Sequence, residues 1–591
     1  MSPDAPQMEW TEDGRPRSPL YGDTYFGADD GLAESRAVFL EGCGLPAAWS
    51  GRRTFTVGEL GFGTGLNILA LIDLWRREGP PGGRLHVFSV EAHLMAREDA
   101  ARALSAWPEL GPAADALLDR WPAPRRGFHR IDLPGLGVVI DLALMEAGEA
   151  LAKWTGRADA WFLDGFAPAL NPEIWREEVL LAVAARSAPG ARAASFTVAG
   201  RVRRGLEAAG FAVSRAPGHG RKRERLEARL PGQAQNTPPP GSVAIIGAGI
   251  AGASVRRALL ELDVEPVLFE AETPGAGASG NPAGLVSPRL DAGLGAVARL
   301  SAQAYLRALD LYADMPEAVN SRGVLQLAAN ERDPGRFERI IASGLFPPGA
   351  LVLLDPRAAS ERLGETTERP ALDQAGALSL DPRRVLEAWC GPKLAGRVES
   401  IQSDGPVWRI QAGDEEPQAF ETVILSAGAG LERLWRGAPI LPVRGQASWT
   451  LDSATPPPHA AGWGGYIAPA QDGFLFGATF RRGEDSTEVT AEDHSANLES
   501  LARARPALAA QLAGRSLGGR ARVRATTRDH LPLAGAVPGL PGTFVLGGLG
   551  SRGLTWAPLL GEHVAALVSG VASPLPADLA ALVTPGRDSL G

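Results

Sequence analysis

The chain repeats one rhythm: a short apolar run, a turn punctuated by glycine, then a stretch with helical spacing of apolar positions. Residues 54–72, TFTVGELGFGTGLNILALI, show it first, with Gly61, Gly63 and Gly65 alternating with Phe62 and Thr64 and with Asn67 opening the helix. RLHVFSVE and ADAWFLD predict further strands of an open α/β sheet, ending in Glu91 and Asp164. The rhythm returns at VAIIGAGIAG (243–252), followed by the helical ASVRRALLEL and by VEPVLFE, a strand ending in Glu270. Near the far end TFVLGGLGSRGLTWAPLLGEHVAALV is again strand, glycine turn and helix, the helix beginning near Leu554. Between these, ETVILSAGAG (421–430) reads as a strand and small-residue turn, and GGYIAPAQDGFLFGATF (464–480) as strand, turn and strand of an antiparallel sheet.

A seam separates the two blocks. PGQAQNTPPPGS, residues 231–242, is rich in Pro and small polar residues and has no hydrophobic period. The expected organisation is therefore a front module over 1–230, a linker over 231–242 and a rear module over 243–591. A length of 591 residues fits this, being too great for one core when domains average roughly 150 residues.

With 45% hydrophobic and 21% charged residues the chain is expected to be globular and soluble. The opening MSPDAPQMEWTEDGRPRS has no apolar core of a leader, and no apolar run approaches the roughly 18 residues of a membrane span, so no membrane partner and a cytoplasmic location are expected. Two distant cysteines, Cys43 and Cys390, form neither a disulfide framework nor a cysteine-rich metal site, and no metal is expected. A net charge of −9 excludes a broadly basic surface, yet residues 201–230 hold nine Arg or Lys against three Glu.

The glycine loops carry the candidate chemistry. In G-x-G-x-x-G, Gly247 permits the tight turn, Gly249 lets the backbone approach a pyrophosphate and Gly252 lets the helix pack on the strand, with the helix N-terminus facing the anion. Glu270 lies where an acid meets a ribose hydroxyl. The plainer alternative is a glycine turn in a nucleotide-free α/β fold. E-x-G-x-G-x-G, from Glu59 to Gly65, has different spacing and resembles the first motif of class I S-adenosylmethionine-dependent methyltransferases, whose ligand has no phosphate. Glu59, Glu91 and Asp164 each end a strand of one open sheet and so converge on one crevice, with Glu91 suited to vicinal ribose hydroxyls, although any one of them alone reads equally as a solvated acid.

FLDGFAPALNPEIW with PGHGRKRERLEA in front, and GASGNPAGLVSPRL, TTRDHLPLAG and GGLGSRGLTWAPLLGE behind, make the resemblance specific. Together they are similar to the bacterial family of bifunctional tRNA 5-methylaminomethyl-2-thiouridine biosynthesis proteins, MnmC, over nearly the whole chain and in module order. The resemblance implies a class I methyltransferase domain with a Rossmann-like sheet, then an FAD-binding domain of the glutathione-reductase and D-amino-acid-oxidase type with an inserted antiparallel-sheet substrate domain. It implies FAD at Gly247, Gly249, Gly252 and Glu270, and at Gly550, Ser551, Arg552, Gly553 and Leu554, where the helix N-terminus faces the flavin pyrimidine ring.

In front it implies S-adenosylmethionine at Glu59, Gly61, Gly63, Gly65, Asn67 and Glu91. A departure occurs after the third strand: the family's Gly-Asp-Ala is replaced by EAGEAL, which puts Glu149 near the adenine. Asp164 is expected to orient the substrate amine and accept its proton, with Phe166 either a stacking surface or core. Arg524 occupies the place where similar glycine and sarcosine oxidases keep an arginine for the substrate carboxylate; a structural salt bridge is its alternative. Arg221, Lys222 and Arg223 are expected to hold the backbone of a tRNA partner.

The implied reactions are removal of a carboxymethyl group from a wobble-uridine side chain of tRNA, then N-methylation of the amine left behind, by a monomer. Two other readings stand beside this one: a fused glycine- or sarcosine-type amine oxidase and small-molecule N-methyltransferase, and a non-catalytic RNA-binding scaffold, against which the intact glycine loops argue.

Overall fold

The computed structural model describes residues 8–590 apart from 28–29, 221, 234–237, 239, 294 and 451–455. The chain divides into two compact units, Met1–Pro238 with Pro574–Ala577, and Pro239–Ser573 with Asp578–Gly591.

The front unit is built on an eight-stranded sheet in the order Gly127–Leu133, Val138–Leu144, Arg84–Glu91, Thr54–Leu60, Ala158–Leu163, Ser187–Ser195, Glu224–Arg229, Ala212–Pro217. The central five strands are parallel, and antiparallel strands close both edges. Both faces of the middle strands are covered, which is why they read as continuous apolar runs. Phe55, Val57 and Leu60 have almost no exposed surface, and Trp154 stacks on Phe88 with centroids 4.2 Å apart. The order of connection reverses between Thr54–Leu60 and Ala158–Leu163, and a crevice at the carboxyl ends of such strands is the usual ligand position.

The rear unit has a five-stranded sheet, in the order Val267–Phe269, Val243–Ile246, Thr422–Leu425, Thr543–Gly547, Leu533–Ala536, parallel but for its last pair. A three-stranded antiparallel sheet spans Val398–Phe420. A ten-stranded, mainly antiparallel sheet is inserted, and includes Val319–Leu327, Ala371–Leu380, Leu441–Thr450, Tyr466–Ala470, Gly473–Gly477 and Leu517–Thr526.

The last long helix, Gly553–Ser569, crosses Ile250–Glu261 so closely that a Cβ on Gly561 would lie 2.7 Å from the Ser254 carbonyl carbon. Glu562 on that helix takes both Arg257 and Arg307 at 2.6 Å in a buried cluster, where loss of one partner would strand the others' charge. Among the described residues no helix is long and apolar enough to cross a membrane.

Candidate functional sites

In the front unit the turn after Thr54–Leu60 curls on three left-handed glycines, Gly61 (φ 90°), Gly63 (φ 54°) and Gly65 (φ 80°), before the helix Leu66–Glu78. Gly61 is pressed against the neighbouring strand end: a Cβ there would come within 3.1 Å of the Gly165 nitrogen. The loop is thus held open toward the carboxyl ends of the sheet, a concave backbone with no side chain at three of its positions. That shape suits the methionine part of S-adenosylmethionine.

The acids around it divide into two kinds. Glu59 is fully buried, and its Oε2 accepts from Ser89 Oγ at 2.5 Å and its Oε1 from Asn67 Nδ2 at 3.3 Å. With no exposed surface it lies beneath Asn67 rather than in the open crevice, where the sequence was expected to put it. Burial pushes its carboxyl well above the ordinary range, with the Asp164 charge adding to the effect. Glu91 and Asp164 are half-buried at the mouth. Glu91 accepts from Gly63 N at 3.0 Å and His93 N at 2.8 Å, and burial raises its carboxyl. Asp164 accepts from Asn67 Nδ2 at 2.7 Å and Gly165 N at 2.8 Å. Burial pushes the Asp164 carboxyl up to about 6, against the pull of those two donors and of the Lys222 charge. Asn67 is the hub: its Oδ1 takes Ser35 Oγ at 2.6 Å while its amide spans Glu59 and Asp164.

Glu149 lies elsewhere. It sits inside the helix Ala147–Lys153, paired with Lys153 at 2.8 Å and with Arg126, which hold it below its ordinary value against the upward push of burial. The residue at the strand end is Glu146, exposed at the N-cap of that helix. The expectation missed by one helical turn because the register of the apolar run is ambiguous.

In the basic cluster Lys222 is exposed; its Nζ pairs with Glu34 at 2.6 Å and lies 4.1 Å from the Phe196 ring centroid. Arg223 is exposed, and Arg221 lies outside the described residues.

Missed altogether was the segment Tyr21–Tyr25. Tyr25 sits 3.0 Å from where a Gly63 Cβ would be, and Tyr21 and Tyr25 pack on Phe166 at 4.8 and 5.1 Å, so Phe166 belongs to an aromatic wall at the crevice. The signal was available: tyrosine occurs only five times in the chain, and two lie in YGDTY.

In the rear unit Gly247 (φ 108°) makes the turn after Val243–Ile246, and a Cβ on Gly252 would fall 1.9 Å from the Gly247 oxygen. Gly249 is extended and caps the helix Ile250–Glu261, whose first N–H goes to Ser279 Oγ at 3.0 Å. The Glu270 carboxylate accepts from Ala248 N, on the glycine loop, at 2.7 Å. A left-handed turn, a helix N-terminus and an acid across from both fit the pyrophosphate and ribose of FAD.

At the other end Gly548 and Gly550 are left-handed, Ser551 is exposed, and Arg552 precedes Gly553–Ser569. Arg552 Nη1 donates to the Ser287 and Pro288 oxygens at 3.2 Å. Burial, with Arg289 nearby, lowers its guanidinium to about 10. Its fork is therefore tied to the loop after Gly284–Val286. Leu554 offers its carbonyl to the Tyr312 hydroxyl at 2.9 Å, and its side chain would meet a Gly284 Cβ at 2.6 Å.

Arg524 stands on Leu517–Thr526. Its guanidinium lies across Gly445, 2.6 Å from where a Cβ would be, and makes no hydrogen bond or ion pair to a described residue. The structural salt bridge weighed from sequence is absent among the described residues. Tyr466 is close: burial raises its hydroxyl and the Arg524 charge opposes that. Two strand neighbours went unread. Arg520 donates to the oxygens of Gly275, Ala276 and Gly277 at 2.8–2.9 Å, and Arg522 to Ala276 O at 2.8 Å, clasping the loop that precedes Gly284–Val286. Among the described residues no group of His, Cys, Asp and Glu stands ready for a metal ion.

Known proteins resemble both units. Residues 242–567 match the FAD dependent oxidoreductase family and residues 108–231 the S-adenosyl-L-methionine-dependent methyltransferase family. The tRNA 5-methylaminomethyl-2-thiouridine biosynthesis bifunctional protein MnmC of Caulobacter sp. (strain K31) is 56% identical, the alignment covering 99% of this chain and 98% of that protein. The protein of that name from Maricaulis maris (strain MCS10) is 41% identical over 99% of this chain and 96% of its own length. Fructosamine oxidase (Amadoriase II) of Aspergillus fumigatus shares the fold of the rear unit, with TM-score 0.50, 17% identity and coverage of 61% of this chain and 92% of that one.

Proposed function

The chain belongs to the MnmC family of bifunctional tRNA 5-methylaminomethyl-2-thiouridine biosynthesis proteins, and from that premise we propose how its two units divide the work on one tRNA nucleoside. It is a bifunctional enzyme with an FAD-dependent oxidoreductase domain and an S-adenosylmethionine-dependent methyltransferase domain. The rear unit removes the carboxymethyl group from the 5-carboxymethylaminomethyl side chain of a wobble uridine. The front unit then methylates the primary amine, which makes the product of one unit the substrate of the other. The relatives matched end to end carry the tRNA name, so a fused pair of small-molecule enzymes is not favoured. The reading needs a single copy of the chain, in the cytoplasm, where tRNA is.

When bound, FAD accepts a hydride from the methylene between nitrogen and carboxylate, and S-adenosylmethionine supplies the methyl group. The chain's residues orient the reactants and accept a proton. Arg524 meets both oxygens of the carboxylate with its planar fork, fixing the direction of the methylene. Water hydrolyses the resulting imine to the primary amine and glyoxylate. In front, Asp164 accepts the proton of the attacking amine at the carboxylate that Asn67 and Gly165 hold in place. Glu91 binds the ribose of S-adenosylmethionine and Glu270 that of FAD. Gly550 to Leu554 bring a helix N-terminus to the flavin ring. Arg223, exposed on the front unit, contacts the RNA backbone.

The observation that carries the reading is the unpaired guanidinium of Arg524, on the face of the inserted sheet whose neighbouring arginines clasp the loop 275–277. Mass spectrometry of tRNA nucleosides from cells lacking the chain tests it. The carboxymethylaminomethyl nucleoside should accumulate and the methylaminomethyl one vanish; an unchanged nucleoside profile refutes it.

A further inference from the structure

A cavity of about 220 Å³ in the rear unit has a wall that includes Ser287, Arg289, Gln326, Arg336, Gln374 and Arg552. It shares a sheet face with Arg524. Backbone pairing runs from Gln326 through Gly462, Tyr466, Gly477 and Ala447 to Arg520, and directly paired residues point to the same side. Arg524 follows Arg520 by four positions on the same strand, and Gln374 pairs with Val324, two positions before Gln326.

Most polar groups of the wall are already engaged. Gln326 Nε2 donates to the Leu327 and Gly462 carbonyls, Arg336 to Leu290 O, and Arg552 to Ser287 and Pro288. Asp333, also in the wall, accepts from Ala329 N and Asn330 N. Gln374 differs. It is 2% exposed, its Oε1 is without a partner among the described residues, and its side-chain amide makes no hydrogen bond to any of them.

A buried amide left unpaired is costly unless a ligand completes it. The ligand's chemistry follows from what the amide presents. It offers an acceptor and a donor side by side, and this holds whichever way the amide is turned. A carboxylate, needing donors only, would set its oxygens against the Gln374 oxygen. A cyclic imide, with N–H flanked by C=O, matches both groups at once, and it is the Watson–Crick edge of uracil.

We propose that this cavity takes the uracil ring, Gln374 accepting from N3–H and donating to the adjacent carbonyl oxygen, with the half-buried Arg289 as a further donor. The proposal rests on the reading that the rear unit acts on a modified uridine. It assigns the two ends of the substrate to two places on one sheet face: the carboxylate to Arg524 and the base to Gln374. Specificity for a pyrimidine imide then resides in a residue distinct from the clamp that serves oxidation.

The full-length protein carrying FAD is mixed with an anticodon stem-loop bearing 5-carboxymethylaminomethyluridine, or with the same stem-loop methylated at N3. Flavin bleaching gives kcat/KM, and competition against the labelled stem-loop gives Kd. N3-methylation should cost the unvaried protein at least about tenfold in both. In Gln374→Leu that penalty should disappear, as it should in the milder Gln374→Asn if the leucine variant fails to retain flavin. An unvaried protein indifferent to N3-methylation overturns the proposal, as does a penalty that persists undiminished in the variants. Failure of the underlying reading registers separately, as a flavin that the unmethylated stem-loop does not reduce at all.

Discussion

The two candidate sites are built from opposite charges. In front, carboxylates stand at the ends of parallel strands: Glu91 and Asp164 at the mouth, Glu59 beneath them. Behind, arginines stand along an antiparallel strand, Arg520, Arg522 and Arg524, with Arg552 capping a helix. The ligands explain the contrast. A methyl transfer brings a sulfonium cation to an amine that must shed a proton, so acceptors are needed. An amine oxidation of this kind brings a dinucleotide with a pyrophosphate and a substrate with a carboxylate, so donors are needed; Arg520, Arg522 and Arg552 hold backbone carbonyls and shape the surrounding loops, while Arg524 makes no hydrogen bond to a described residue. The glycine loops differ in the same sense, the front one curling through three left-handed residues around an uncharged chain and the rear one turning once to aim a helix N-terminus.

The sharpest way to break this contrast is to remove the front acceptor. Asp164→Ala should slow methyl transfer by about 10²–10⁴-fold while flavin reduction continues, so the aminomethyl nucleoside accumulates in tRNA. Normal levels of methylated product would take Asp164 out of the mechanism.

Arg524→Lys is the counterpart behind. A point charge replaces the fork, and flavin reduction by carboxymethylated tRNA should fall about 10²-fold with FAD still bound. Methylation of tRNA already bearing the aminomethyl group should proceed unchanged. A normal reduction rate would move the clamp elsewhere.

A third test concerns pH. Because the Asp164 carboxyl is pushed up to about 6, methyl transfer should fall as the pH drops through that value. Asn67→Leu removes a donor that favours the charged form, so the acid limb should move to higher pH. An unmoved limb would assign it to another group. The sign for stability is the reverse of that for activity. A carboxyl raised from 3.8 to about 6 in the folded state stabilises the fold only when protonated, a contribution lost as pH rises through 6. Asp164→Asn should accordingly raise Tm at pH 8 and leave it unchanged at pH 3.

The smallest effect is expected from separating the units. The front cluster runs from Leu32 to Ala194, and three clusters of the rear unit begin at Ala244 or beyond. A cut within 231–242 should leave a front piece that binds S-adenosylmethionine and a yellow rear piece. Aggregation of either, with the intact chain soluble, would show that one core depends on the other.

What could be read in the sequence was what a short window contains. Gly61 to Gly65, Gly247 to Gly252 and the acids that end strands announce themselves because turn, strand end and helix start are contiguous. Tyr21 and Tyr25 meet Phe166 from well over a hundred positions away, and Gln326 and Gln374 reach the Arg524 face only through strand pairing. Local pattern cannot express such contacts. Glu149 shows a different failure: beyond the last strand residue, period 2 gives way to period 3.6, and a one-turn error exchanges a mouth residue for a helix-surface ion pair. Lys222 shows a third limit, since a basic stretch in sequence does not reveal that Glu34 and Phe196 are its neighbours.

Arg520, Arg522 and Arg524 occupy alternate positions of one strand, the first two gripping the carbonyls of residues 275–277 and the third making no hydrogen bond to a described residue. The strand therefore behaves as a ruler with a two-residue graduation. Point changes between the marks, at Ala521 or Val523, keep the measure. Deletion of Val523 alone would turn Arg524 to the far side of the sheet while Arg520 and Arg522 kept their hold. Over evolutionary time this segment should tolerate substitution far better than a change of length, and a designer grafting a new clamp onto this face must move it in steps of two.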